Sequence, residues 1–318
     1  MSTRAQGANA TLLLGFESAY GTPPDNGYVK APFVTSTLGG DQPLIEDDTL
    51  GFGRDPLPPS YGPLTVDGDV VVPLDLRTIG VWLKGLLGAP VTTDGAGDAL
   101  GAKVHAWTSG AAALPSLTAE VGNPEVPSYR RHFGAMVGSW RLPIQTTGTV
   151  STTFTLLGQG ESGAAATIDA TPKAHVYTRF QAGQGSVLLD GTPIGTLMGG
   201  EVSYSNNLDG FRPARDDDKL TGIDLGKAAC TGNAKVRFAD TTMMDKARGK
   251  TPMALTFRYR IAATAALAVT IPEVYLPRPR ISIQGPAGID VDYAWQASRT
   301  TAGNPMMTVV LVNDVTGY

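Results

Sequence analysis

The sequence predicts a mainly β protein built from two tandem β-sandwich or barrel domains, each with one short flanking α-helix. Three observations predict it. Apolar residues recur with period two over most of the chain, at 65–76, 149–157, 254–261, 291–295 and 308–312. Turn-forming pairs punctuate these runs, among them Asp67-Gly68, Asp190-Gly191 and the stretch 206–210. A pattern near residues 38–50 returns near 208–220.

The elements follow in chain order. Residues 1–27 turn rich in Gly, Pro and Asn after Phe16 and read as an N-terminal arm; if residues 1–24 reach the next ring, deleting them should leave folded subunits that stack poorly. Residues 28–160 form the first domain. Its helix lies in 76–87, where Ile79, Trp82, Leu83, Leu86 and Leu87 share one face at helical spacing. The Gly/Ala/Ser stretch 158–172 marks the domain boundary, and 161–194 supply a linker with connecting strands. Residues 195–318 form the second domain, with a short helix at 241–247. The uncharged segments 149–157 and 308–312 read as open strand edges that would be safe when paired with neighbouring copies, although a central strand in a single large domain would look the same.

At a constant offset of 170, Leu38, Gly40, Pro43, Asp47, Asp48 and Leu50 meet Leu208, Gly210, Pro213, Asp217, Asp218 and Leu220. The match continues after a change of loop length. Gly68, Val72 and Leu74 meet Gly232, Val236 and Phe238, and the two helices correspond. Ser116–Glu120 then parallels 254–258, 136–144 parallels 269–276, and 148–157 parallels 288–296. One β-domain with a flanking helix is therefore used twice.

Composition excludes much chemistry. The chain has 318 residues, 39 of them Gly and 23 Pro, and only 17% are charged, a fraction that fits surfaces buried between protomers. The longest apolar run, 261–271, is too short to cross a bilayer, and the first ten residues carry no secretory apolar core. One cysteine, Cys230, excludes a disulfide framework and fits folding in a reducing cytoplasm. A net charge of −4 with no basic block disfavours grip on nucleic acid. His105, His132 and His175 have no second ligand at metal spacing, and no nucleophile–base motif occurs, so no catalytic residue, metal or cofactor is predicted. Gly158, Gly160 and Gly163 spell a dinucleotide-type glycine pattern, but no helix can follow it, so it reads as linker. The acidic triplets Glu46, Asp47, Asp48 and Asp216, Asp217, Asp218 lack the alternation of a calcium loop. With Arg54, Arg212 and Arg215 nearby, they are the candidate contacts between subunits or rings, against the plainer reading of solvated loops with local arginine partners.

Three segments carry a family resemblance: LLLGFESAYGTPP at 12–24, FVTSTLGGDQPLIEDDTLGFGRDP at 33–56, and the closing pair GPAGIDVDYAWQAS and MMTVVLVND within 285–314. In order and content the chain resembles the major tail tube proteins of long, non-contractile bacteriophage tails. The resemblance implies a tail-tube-like fold whose hairpins join across subunits around a DNA channel, with six such domains per ring. It also implies a virion protein, made in the bacterial host cytoplasm, that meets tape-measure, tail-terminator and distal-tail proteins and lets DNA pass without specific binding.

Two domains per chain predict trimeric rings with pseudo-sixfold symmetry. The alternatives are a hexamer with one domain as outer decoration, and a tandem β-sandwich module binding carbohydrate or a host surface. The scattered Trp82, Trp107, Trp140 and Trp295 speak against the latter. The lumen wall is predicted to include residues 66–76 and 235–238, each with similar charge.

Overall fold

A computed structural model describes residues 4–213, 219–281 and 288–318. The chain is mainly β, with two α-helices among the described residues. The principal elements are β1 (Thr11–Phe16), β2 (Thr65–Pro73), α1 (Ile79–Leu87), β3 (Lys103–Thr108), β4 (Leu117–Asn123), β5 (Ser128–Ile144), β6 (Ser151–Gly158) and β7 (Gly160–Ala164) in the first half. The second half holds β8 (Gly185–Leu189), β9 (Leu197–Ser205), β10 (Ala229–Arg237), α2 (Thr242–Gly249), β11 (Met253–Ala262), β12 (Ala265–Tyr275), β13 (Asp290–Ala297) and β14 (Thr308–Asn313).

The same strand order occurs twice. In the first half the short edge strands Thr35–Ser36 and Gly39–Asp41 pair with β2, then β2 with β6, β6 and β7 with β5, β5 with β4, and β4 with β1. In the second half β9 pairs with β10, β10 with β13, β13 and β14 with β12, β12 with β11, and β11 with β8. All these pairings are antiparallel, and in each half a helix follows the strand next to the edge.

Cross-strand register fixes which residues correspond. Gly40 faces Val66 and Ser36 faces Val70, as Tyr204 faces Cys230 and Gly200 faces Ala234. Even the hairpin roots agree: the amide of Gly62 donates to the carbonyl of Pro43 (2.8 Å), and that of Gly226 to Asn207 (3.1 Å). The true offset over 35–74 is therefore 164. It is the offset predicted for Gly68/Gly232, whereas the match of 38–50 at offset 170 is displaced by six residues. A second constant offset, 139, relates β6 to β13, since Leu157 faces Asp67 and Gln296 faces Thr231. Through β5–β6 and β12–β13 it carries Met136 onto Tyr275 rather than Val269.

Three other expectations change. Residues 11–16 are β1, buried over Leu12–Leu14 and paired with β4, because their apolar run covers the first sheet. Removing residues 1–24 would strip a core strand. Gly158, Gly160 and Gly163 lie in β6 and β7, which run along β5 as one bent strand around Gln159, whose amide bonds the Phe133 carbonyl. The segments 149–157 and 308–312 are interior strands: β6 lies between β2 and β5, and β14 between β12 and β3.

The core sits under the helices. Trp82 of α1 stacks on Phe154 at 5.0 Å, and Trp140 stacks on the other side of that ring at 6.1 Å. In the second half Phe257 stacks on Trp295 at 6.2 Å, with Met243 of α2 in the same core. Fully burying side chains of this size contributes about 2–3 kcal/mol each.

Candidate subunit interface

The two halves are joined as one sheet. The C-terminal part of β5 bends away from β4 and exposes an edge, and β9 fills it, Ser139 to Ile144 facing Ser205 to Gly200 in antiparallel register. The amide of Asn206 continues the ladder to the Gly138 carbonyl (2.8 Å), and its buried side-chain amide donates to the carbonyls of Leu86 (2.9 Å) and Val137 (3.2 Å). A Cβ at Gly138 would come within 3.2 Å of the Leu208 side chain, so Leu208 packs tightly over this position. Beyond it the hairpin of strands Asp209–Phe211 and Gly222–Asp224 leans on the first half. Arg212 donates to the Leu64 carbonyl, and Lys219 lies 5.1 Å above the Phe133 ring.

The corresponding hairpin of the first half, Leu44–Ile45 with Ser60–Tyr61, has no such seat among the described residues. Leu44, Phe52 and Tyr61 are 59%, 68% and 73% exposed, and Leu50 is 91% exposed. Together these side chains form an apolar cluster raised from the body on a hairpin, the kind of surface that marks a protein–protein contact.

The sequence-predicted contacts divide accordingly. Glu46, Asp47, Asp48 and Arg54 lie on this exposed hairpin. Asp47 is held in its own turn by Thr49, whose hydroxyl and amide both donate to it and keep its carboxyl below the usual range. No ion pair links Arg54 to the triplet among the described residues. Arg212 lies at the internal joint, while Arg215, Asp216, Asp217 and Asp218 lie outside the described residues. At offset 164 the two triplets do not correspond; Glu46 falls on Gly210. The sequence reading missed Asn206 and Glu161. Glu161 of β7 accepts the Gly40 amide (2.7 Å) and lies 3.1 Å from the buried His132 Nε2.

One face of the continuous sheet carries mainly polar side chains, with Val71, Leu157, Pro143 and Ala294 interspersed among them. Asp67 and Asp69 on β2, Thr153 and Thr155 on β6, and Ser139 and Arg141 on β5 share it. Ser203 and Glu201 on β9, Thr231 and Asn233 on β10, and Asp292 and Gln296 on β13 extend it. Its cations are paired: Arg141 with Asp69 (3.6 Å), Arg237 with Asp290 (2.6 Å) and Lys235 with Asp290 (3.5 Å). Asp67, Glu201 and Asp292 remain beyond those pairs, so the face is mildly acidic. Its residues offer hydrogen-bonding and charged groups in an open array, and no group of metal-holding side chains occurs among the described residues.

A repeated sheet module that supplies a docking edge in one place and a docking strand in another defines a structural protein made for assembly. The sequence profile of the phage tail tube proteins matches residues 7–297, and the chain belongs to that family. A comparison with curated proteins found no match. The chain is thus a structural tail tube protein, a component of the virion tail that assembles with itself and with other tail proteins.

Proposed function

We propose that the protein forms stacked rings of three chains, each ring presenting six copies of the module, and that the rings make the tube of a long phage tail through which DNA leaves. The observation that carries this reading is the antiparallel joint between β5 and β9, which puts both modules in one sheet. A decoration domain would stand outside the wall instead of extending it, so the same joint favours three chains over six. The polar face is the lumen wall in this reading. It includes the outward residues of β2 and β10. Its unpaired carboxylates repel phosphate, and its pre-paired cations have no need of a phosphate partner, so DNA slides.

Electron microscopy of the purified protein, or of tails containing it, tests the reading by counting chains. Stacked rings with three chains each are expected. A protein that stays monomeric at every concentration and on tail-tip complexes overturns it, as do rings of six chains.

A further inference from the structure

In the first module the edge of β6 is covered by the C-terminal part of β5, and β9 covers β5 in turn. In the second module β13 pairs with β12 only at Val274 and Tyr275, and its edge over Asp290–Trp295 carries no strand among the described residues. Offset 139 identifies what belongs there: Pro277, Arg278, Pro279, Arg280 and Ile281 correspond to Gly138, Ser139, Trp140, Arg141 and Leu142. Next to that edge, a groove of about 670 Å³ lies between Tyr275–Pro277 and the polar face of β9, β10 and β13, lined there by Glu201, Ser203, Thr231, Asn233 and Gln296.

We propose that residues 276–281 are the missing strand, and that the edge strand 35–41 of the next chain completes it as β9 completes β5. The proposal rests on the ring-forming reading above and names its seam. Backbone chemistry supports the assignment. The Gly138 carbonyl accepts from Asn206, so the even residues of this stretch of β5 aim their backbone groups at β9, and Ser139 and Arg141 aim theirs at β6. Transferred by the offset, the amides of Arg278 and Arg280 face β13. Pro277 and Pro279 fall on the side facing the neighbour, where they accept hydrogen bonds but donate none.

The opposing strand is complementary. Its outward donors are the amides of Leu38 and Gly40, the counterparts of Val202 and Tyr204. In the single chain both are held by side chains, Leu38 by the Ser36 hydroxyl (3.3 Å) and Gly40 by Glu161 (2.7 Å). One half of the seam thus offers carbonyls, the other offers amides, and each is blunted until the right partner arrives. The side chains agree. Ser205 faces Ser139, and their counterparts are Asp41 and Arg278, both exposed. Arg280 follows on one side, and the carboxylates of Glu46, Asp47 and Asp48 on the other. The apolar hairpin above Asp41 would then lie on the neighbour as strands Asp209–Phe211 and Gly222–Asp224 lie on their own first half.

Asp41 and Arg278 occupy a non-hydrogen-bonded position, where Cα atoms come within about 4.5 Å and a disulfide fits. Because Cys230 is buried, with its thiol pushed up to about 12 by burial, a double variant D41C/R278C adds the reactive pair. Oxidation of its rings should give chain-to-chain links that close at three chains on a denaturing gel, with no such links from either single variant. Rings visible by microscopy without those links overturn the seam and leave the ring reading standing. Absence of rings in the unmodified protein overturns both. If the double cysteine variant fails to assemble, charge reversal decides. D41R and R278E should each lower ring yield roughly tenfold, and D41R/R278E should restore it. Equal loss in all three overturns the seam.

Discussion

Among the described residues, the segments 35–74 and 199–238 share strand order and register, yet their surroundings are opposite. One is held within its own chain through Asn206, Leu208 and β9; the other ends in an exposed apolar hairpin and an edge capped by Glu161. A folding module does not need its edge covered in order to fold, and the first half shows one that is not. The difference between the two segments separates residues that stabilise the chain from residues that stabilise the polymer.

The largest expected effect sharpens that separation. Trp140 is fully buried between Phe154 and Tyr204 strands at the internal joint, and its counterpart is Pro279 at the vacant position. Trp140→Ala should cost the isolated subunit about 3–5 kcal/mol in chemical denaturation. Pro279→Ala should change it by no more than about 0.5 kcal/mol. Comparable losses at both would mean that residue 279 is already seated in the lone chain, and the comparison would fail.

Next in size is the pair Asn206 and Gln42. Asn206→Ala leaves two buried carbonyls without their donor and should cost about 1–3 kcal/mol. Gln42, its exposed counterpart, donates to the Gly62 carbonyl of its own hairpin (2.8 Å), and Gln42→Ala should cost less by the same denaturation measurement. Smaller still is Leu44→Ser. Subunit stability should stay within about 0.5 kcal/mol, because Leu44 is already mostly exposed, while tube formation followed by light scattering should slow. The matching change Leu208→Ser, against Gly138, should reverse that pattern.

Much of this fold was legible in the sequence because period-two patterning reports which faces are buried. The duplication was legible too, but its register was read correctly only where the backbone is constrained. Gly68 and Gly232 both sit close against a neighbouring strand, and a side chain at either would collide with it. Leu38–Leu50 and Leu208–Leu220 matched at offset 170 because Asp, Gly and Pro recur in any surface turn, where nothing fixes the spacing. At offset 164 only Leu44/Leu208, Gly62/Gly226, Gly68/Gly232 and Val72/Val236 are identical over 35–74. The uncharged runs 149–157 and 308–312 misled for a related reason. A strand covered on both edges by its own chain and one covered by a neighbour present the same alternation. Glu46, Asp47, Asp48 and Arg54 sit on the exposed hairpin, whereas Asn206 and Glu161 act through long-range bonds that no spacing announces.

The smallest effect is set by pH, and it again divides the two seams. His105 lies where the second half laces back onto the first, on β3 beside β14. Its Nε2 is 3.0 Å from the Val315 carbonyl and 3.2 Å from Asn313 Oδ1, and its Nδ1 is 2.8 Å from the Thr92 hydroxyl. Burial holds its pKa below the ordinary value, with Lys103 adding to that and the Val315 and Asn313 bonds opposing it. The unfolded chain therefore takes up the proton first as pH falls. Stability contributed by the neutral ring is complete above about 6.5 and is lost progressively below it. Burial depresses His132 and His175 in the same direction. The melting temperature should fall between pH 7 and 5, and His105→Gln should flatten part of that slope. Segments 35–62 and 275–281 contain no histidine; His132 reaches this seam through Glu161, the cap on the Gly40 amide, but His105 does not, so ring formation by folded subunits should be unchanged by His105→Gln. A ring yield that tracked the histidine titration and was flattened equally by His105→Gln would mean that assembly depends on the internal lacing, and that the two seams are not independent.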